Sequence, residues 1–237
     1  RIATVPATNS YRGGKNQEQS NYVYSLDDNL VSALADFSKK NELTMSIILQ
    51  TAWGLLLSRY NRSDDVVFGL TVSGRPQDIP GIEDIVGLFI NSIPVRIKIN
   101  GDETFKDVAT SVQKDSLKCA KYHYYSLAEI QNSTDLKNEL FDHLMVFENY
   151  PISKTIKERS ERLFNVKEFN VFERINDDFG ITISPINGIE VKFSFNPQKY
   201  MEQEIITIAN NLKKVLENVT CDANIKINEI EIVTVED

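Results

Sequence analysis

Residues 65–73, Asp-Val-Val-Phe-Gly-Leu-Thr-Val-Ser, form a nearly unbroken apolar run. A strand reads this way when it is covered on both faces, because no polar alternation marks a side turned to water. It follows the strongest helical signal in the chain. Met45, Ile48, Leu49, Ala52, Trp53, Leu56, Leu57 and Tyr60 fall on one stripe, with Thr44 in front as cap and Trp53 expected in the core. A helix that must pack on a buried strand restricts the chain to layered α/β folds.

The remaining elements fill in that frame. Residues 21–26 alternate as a strand, and a helix is expected over about 28–40, capped by Ser25 or Asp27. A loop with Gly74, Pro76, Pro80 and Gly81 follows the buried run. A strand is expected over about 88–99, a helix over 105–122 capped by Thr104, and a short helix over 127–131. Strands are expected at 142–149, 164–174, 179–186 and 189–195, with Asn187-Gly188 as a hairpin signal between the last two. A helix is expected over 201–219, and the tail, 227–235, reads as an edge strand. Residues 1–19, polar and containing Pro6, Gly13 and Gly14, read as a linker. The sum is one α/β unit, a two-layer sandwich with a mixed β-sheet flanked by helices.

Charge and composition exclude several functions. With 237 residues and a net charge of −8, the chain lacks the cationic excess that nucleic-acid binding requires. The densest cationic run, Lys114, Lys118 and Lys121, has helical spacing and reads as a solvated face, with docking of an acidic partner as the other reading. No apolar run is long enough to cross a membrane, and no signal peptide is evident in Arg1–Ser10. Cys119 and Cys221 belong to no paired motif, as expected for reduced cysteines in the cytoplasm. No metal-ligand set or phosphate loop is evident.

No self-sufficient active site emerges either. His123 and His143 have no evident partner for a nucleophile–base pair or a metal triad. His123 follows an amphipathic helix, where the helix dipole favours a cation. Ser73-Gly74-Arg75 lies just past the buried strand. Gly74 permits close backbone approach, and Arg75 either holds a carboxylate or carbonyl with its fork of donors or serves as an ordinary loop arginine.

Three blocks carry a resemblance. Val66-Val-Phe-Gly-Leu-Thr-Val-Ser-Gly-Arg-Pro76 and Val86-Gly87-Leu88-Phe89-Ile90-Asn91-Ser92-Ile93-Pro94-Val95-Arg96 form the first. His123-Tyr124-Tyr125-Ser126-Leu127 is the second, and Phe141-Asp142-His143-Leu144-Met145-Val146-Phe147-Glu148-Asn149-Tyr150-Pro151 the third. Together they resemble condensation domains of nonribosomal peptide synthetases, from about residue 20 to the end. The second part of the first block is similar to that family's Val-Gly-x-Phe-Val-Asn-Thr motif. Ser126 stands where the family often has Pro. The family's catalytic motif, two adjacent histidines followed by Asp-Gly, is nowhere in the chain.

The resemblance implies a chloramphenicol acetyltransferase-like half. Residues 1–19 would be the linker from an N-terminal condensation subdomain, and 20–237 the C-terminal subdomain. It implies a tunnel between two halves, entered by phosphopantetheine arms of donor and acceptor carrier domains, with a neighbouring adenylation domain and no directly bound cofactor. The amine of one thioester-tethered residue would attack the other thioester to form an amide. Ser73, Gly74, Arg75, Gly87, Phe89, Asn91 and Asn149 are the expected tunnel and interface residues, with Phe89 and Gly87 also open to purely structural roles. An epimerization domain is disfavoured, because such domains usually carry Glu-Gly-His-Gly-Arg where this chain has Val72-Ser73-Gly74-Arg75. A noncatalytic, condensation-like recruitment module is the other alternative.

Overall fold

A computed structural model describes residues 3–7, 19–75, 79–82, 84–148, 177–185 and 188–232. The elements are β1 (Ser20–Ser25), α1 (Asp28–Asn41), α2 (Met45–Asn61), β2 (Asp65–Val72), β3 (Asn91–Lys98), α3 (Phe105–Cys119), α4 (Leu127–Asn132), β4 (Leu144–Phe147), β5 (Phe179–Ser184), β6 (Glu190–Phe195) and α5 (Glu202–Cys221). Among the described residues the strands form one six-stranded sheet in the order β1-β6-β5-β4-β2-β3. It is mixed: β4 runs parallel to β2 and β5, and the other pairs are antiparallel.

Register turns alternation into a core. Tyr22 lies opposite Phe193, Phe193 opposite Ile181, Ile181 opposite Met145, Met145 opposite Leu70, and Leu70 opposite Ile93. One row of side chains on a single face thus crosses all six strands, since paired residues share a face. Against that face pack Leu30, Leu34 and Phe37 of α1, Phe105, Val108 and Val112 of α3, and Ile205, Ile208, Leu212 and Val215 of α5. The two-layer α/β sandwich is as the sequence implies.

Four local readings differ. The helix α2 is buried almost all round, including Gln50, Thr51 and Leu55, rather than along one stripe, because α1, α3, α5 and the sheet surround it. The strand expected from 88 begins only at Asn91, and Leu88 is 92% exposed. The tail is not an edge strand: Ile227–Glu229 form a 3-10 turn, and Ile227 and Ile230 are buried. Residues three apart share a face in that geometry. In the leader, Ala3 and Val5 are buried in the core, so residues 3–7 pack with the folded unit. The expected strand 164–174 and Asn187 lie outside the described residues. The β5–β6 hairpin itself forms, with Gly188 at φ +100°.

Helix starts follow the expected chemistry. Asp27 Oδ1 accepts from the Leu30 N–H at 3.0 Å, Thr44 Oγ1 from Ile47 at 3.3 Å, and Thr104 forms a reciprocal cap with Asp107. The strand β3 is one edge of the sheet and carries Pro94, opposite Gly69, with Arg96 and Lys98 exposed beyond it. Among the described residues no helix is long and apolar enough to cross a membrane.

The centre of the core is aromatic and contains one polar bond. The Trp53 Nε1–H donates to His143 Nε2 at 2.8 Å, with both residues fully buried. The Trp53 ring also stacks on Phe179 at 6.0 Å. Replacing Trp53 with Phe removes the donor and leaves the imidazole nitrogen unpaired in a void. We expect a loss of about 2–3 kcal/mol in urea denaturation; a loss below about 0.5 kcal/mol would show that the bond contributes little.

Candidate functional site at the ends of β2 and β3

The expected site residues, apart from Asn149, which lies outside the described residues, converge on the loop from β2 to β3. Gly74 has φ +61°, and a Cβ there would lie 1.8 Å from the Phe89 carbonyl oxygen. Only glycine fits, for both conformational and steric reasons. Gly87 is tight in another way, since a Cβ would meet the Phe89 ring at 3.1 Å. The loop therefore folds back on itself, with Phe89 against both glycines.

Arg75 holds the fold-back closed. Its Nη1 donates to the Ile82 carbonyl and, at 3.1 Å, to the Ile85 carbonyl. Its guanidinium lies 4.3 Å from the centroid of the Phe89 ring. The Arg75 backbone N–H is 3.5 Å from Ser73 Oγ. The fork of donors thus binds carbonyls, as one sequence reading allows, but they belong to its own loop. Phe89 is half-buried under the guanidinium rather than in the core.

What the loop displays is apolar. Val86 is 99% exposed and Leu88 92%, beside exposed Ile79, Ile85 and Ile90. An ordered backbone presenting bare aliphatic side chains is the signature of a contact surface.

Asn91, the first residue of β3, ties this loop to the second motif block. Its Nδ2 donates to the carbonyls of His123 at 2.9 Å and Tyr125 at 2.5 Å, and its Oδ1 accepts from the Ser92 N–H. The need of such an amide for partners is met by the turn that carries the His123-Tyr124-Tyr125 motif. That turn walls a cleft of about 320 Å³ with Ile93, Pro94, Tyr122, His123 and Tyr125. Of the cationic run, Lys118 pairs with Asp115 at 2.8 Å and Lys121 lies over the Tyr122 ring.

His143 has the structural role expected of it, in a setting the sequence did not disclose. His143 has partners after all: Trp53 on Nε2, and Asp142 Oδ1 at 2.6 Å from Nδ1. An indole N–H only donates, so Nε2 accepts and the proton sits on Nδ1, facing Asp142. The ring is enclosed by Phe68, Trp53 and Phe179. An acid–imidazole pair thus exists, but its second nitrogen is committed inside the core, away from any reactant. The adjacency of Asp142 and His143 was the available sequence signal. Nearby, burial raises the Asp177 carboxyl above its ordinary value, opposed by His143 and reinforced by Asp142 and Asp178.

His123 is not the helix-end cation expected. Its Nε2 is buried without a hydrogen-bond partner, and burial pushes its imidazole below the ordinary value, favouring the neutral form. A histidine more easily protonated in the unfolded chain contributes stability that is present above pH about 6.5 and lost as pH falls. We expect wild type to lose more stability than His123→Gln between pH 7 and pH 5 in urea titrations; parallel curves would count against this assignment.

The family model for the condensation domain matches residues 2–237. The chain is 35% identical over 237 residues to bacitracin synthase 3 of Bacillus licheniformis, covering 99% of the chain and 4% of that protein. It is 38% identical over 218 residues to tyrocidine synthase 3 of Brevibacillus parabrevis, covering 91% of the chain and 3% of that protein. Among solved structures, a four-domain nonribosomal peptide synthetase bound to AMP and glycine aligns with a TM-score of 0.81 at 18% identity, over 99% of this chain and 19% of that one. The X-domain from teicoplanin biosynthesis aligns with a TM-score of 0.77 at 20% identity, over 98% of this chain and 54% of that one. The chain thus spans a small fraction of these synthetases and about half of the X-domain chain. With the family model matching nearly its whole length, this chain belongs to the condensation domain family of nonribosomal peptide synthetases.

Proposed function

We propose that the chain works as the C-terminal half of a condensation domain, which forms the amide bond between a donor acyl or peptidyl thioester and an acceptor aminoacyl thioester. The observation that carries this reading is the Arg75-stapled loop, which holds Val86 and Leu88 bare to solvent beside the ends of β2 and β3. A loop fixed this firmly yet exposed to this degree is suited to close against another folded half. The absence of a paired-histidine motif from the sequence supports assigning proton handling to that other half. The contribution of this chain is then positioning: a wall and floor that hold two tethered reactants in line.

On this reading the partners are an N-terminal condensation subdomain, donor and acceptor carrier domains with their phosphopantetheine arms, and a neighbouring adenylation domain, in the cytoplasm. Ser73, Gly74, Arg75, Gly87, Phe89 and Asn91 shape the tunnel side, and Asn149 is assigned to the interface between halves. Arg75 acts through the loop it closes, as a positioning residue.

Two measurements test this. Given loaded donor and acceptor carrier proteins, the 237-residue chain alone should form no amide above the uncatalysed rate; clear turnover would overturn the division of labour. In the complete condensation domain, Arg75→Ala should lower turnover by roughly 10-fold or more with little change in melting temperature, and Arg75→Lys, which has no planar guanidinium to lay over Phe89, should recover only part of it. Equal turnover in wild type and Arg75→Ala would remove the residue from the site, and lost stability together with lost turnover would make its role purely structural.

A further inference from the structure

The last turn of α2 carries two side chains that leave the helix and bind the backbone of distant parts of the chain. Asn61 Oδ1 accepts from the Thr4 N–H at 3.0 Å, and its Nδ2 donates to the Thr4 carbonyl at 2.9 Å. One amide thereby satisfies both backbone groups of a single leader residue, as a neighbouring strand would. On either side of Thr4, Ala3 and Val5 are buried in the core. Two residues earlier on the helix, Arg59 Nη2 donates to the Ile227 carbonyl at 2.6 Å. Ile227 and Ile230 are buried, and the Ile227 N–H donates to the Glu103 carbonyl just before α3.

We propose that this turn is a two-armed clamp coupling the leader, residues 3–7, to the tail, residues 225–230, so that loosening either one loosens the other. The physical reason lies in how the helix ends. Terminal carbonyls lack intrahelical partners and fray unless they are capped. Here Asn61 Nδ2 also donates to the Leu57 carbonyl at 2.8 Å. Beyond it the helix closes through Arg62, in the left-handed region at φ 50°, whose N–H bonds the Arg59 carbonyl, while Ser63 bonds Ser58. The Arg59 carbonyl is therefore held within the same closing turn that carries Asn61. When the leader leaves, Asn61 loses two of its three side-chain bonds and keeps only that to Leu57, the closing turn loosens, and Arg59 loses its aim at Ile227. Linkage makes the effect reciprocal and equal in both directions.

If the chain sits inside a longer synthetase, as the reading above holds, entering and leaving segments communicate through this turn without involving the loop at the ends of β2 and β3. The clamp itself does not depend on that reading, and its test uses the 237-residue chain. Hydrogen exchange is measured on wild type and Thr4→Pro, which deletes the leader's N–H without altering α2 or Arg59. Exchange at the Ile227, Glu229 and Ile230 amides should accelerate by about fivefold or more, while amides of β5 and β6 keep their rates. Arg59→Met should accelerate exchange at the Thr4 N–H by a similar factor. Unchanged tail amides in Thr4→Pro would overturn the proposal, as would a uniform acceleration across the sheet, which signals general destabilisation. Should Arg59→Met fail to fold, Thr4→Pro alone decides.

Discussion

The hydrogen bond from Trp53 to His143 joins the helical layer to the sheet at a point where both are wholly buried. A polar pair there costs stability unless every donor and acceptor is matched. Matching it fixes the imidazole tautomer, sets Asp142 on the other nitrogen, and seats the ring between Phe68 and Phe179. Because His143 also accepts from the Gly69 N–H through its carbonyl, the same residue places the start of β4 beside β2. The parallel pairing of β4 with both neighbours, and thus the mixed character of the sheet, is anchored there.

From that anchor the architecture separates rigid support from exposed working surface. The six-strand row and its helices hold the ends of β2 and β3 in place. Gly74, Arg75 and Phe89 then fold the intervening loop against itself, and Asn91 fastens its far end to the His123–Tyr125 turn. These contacts within the loop reduce the conformational entropy that remains to be lost when a partner docks.

Much of this was legible in the sequence where local chemistry and tertiary context agree. The apolar run at β2, the caps at Asp27, Thr44 and Thr104, and the hairpin before Gly188 each depend on residues within a few positions of one another. Of the motif residues, Gly74, Arg75, Gly87 and Phe89 meet in space, and Asn91 reaches the His123–Tyr125 turn. Illegible features depend on distant partners. Apolar residues at 88 and 90 read as strand, yet they extend past the last ladder position because Arg75 diverts the loop. Ile227 and Ile230 fit alternation poorly and a three-residue turn well, but only Arg59 and Glu103 decide between them. The polar leader gave no sign that Ala3 and Val5 would be buried, since two small apolar residues carry almost no periodic signal.

Pro94 has a consequence for chains of this family that extends beyond the folded unit. It stands midway along an edge strand and has no N–H to offer, and the exposed Arg96 and Lys98 follow it with like charge. An approaching strand would meet a gap in its ladder and then two cations to desolvate. A border blunted in this way keeps β3 from zipping edge to edge with a neighbouring sheet, so that local crowding does not become aggregation.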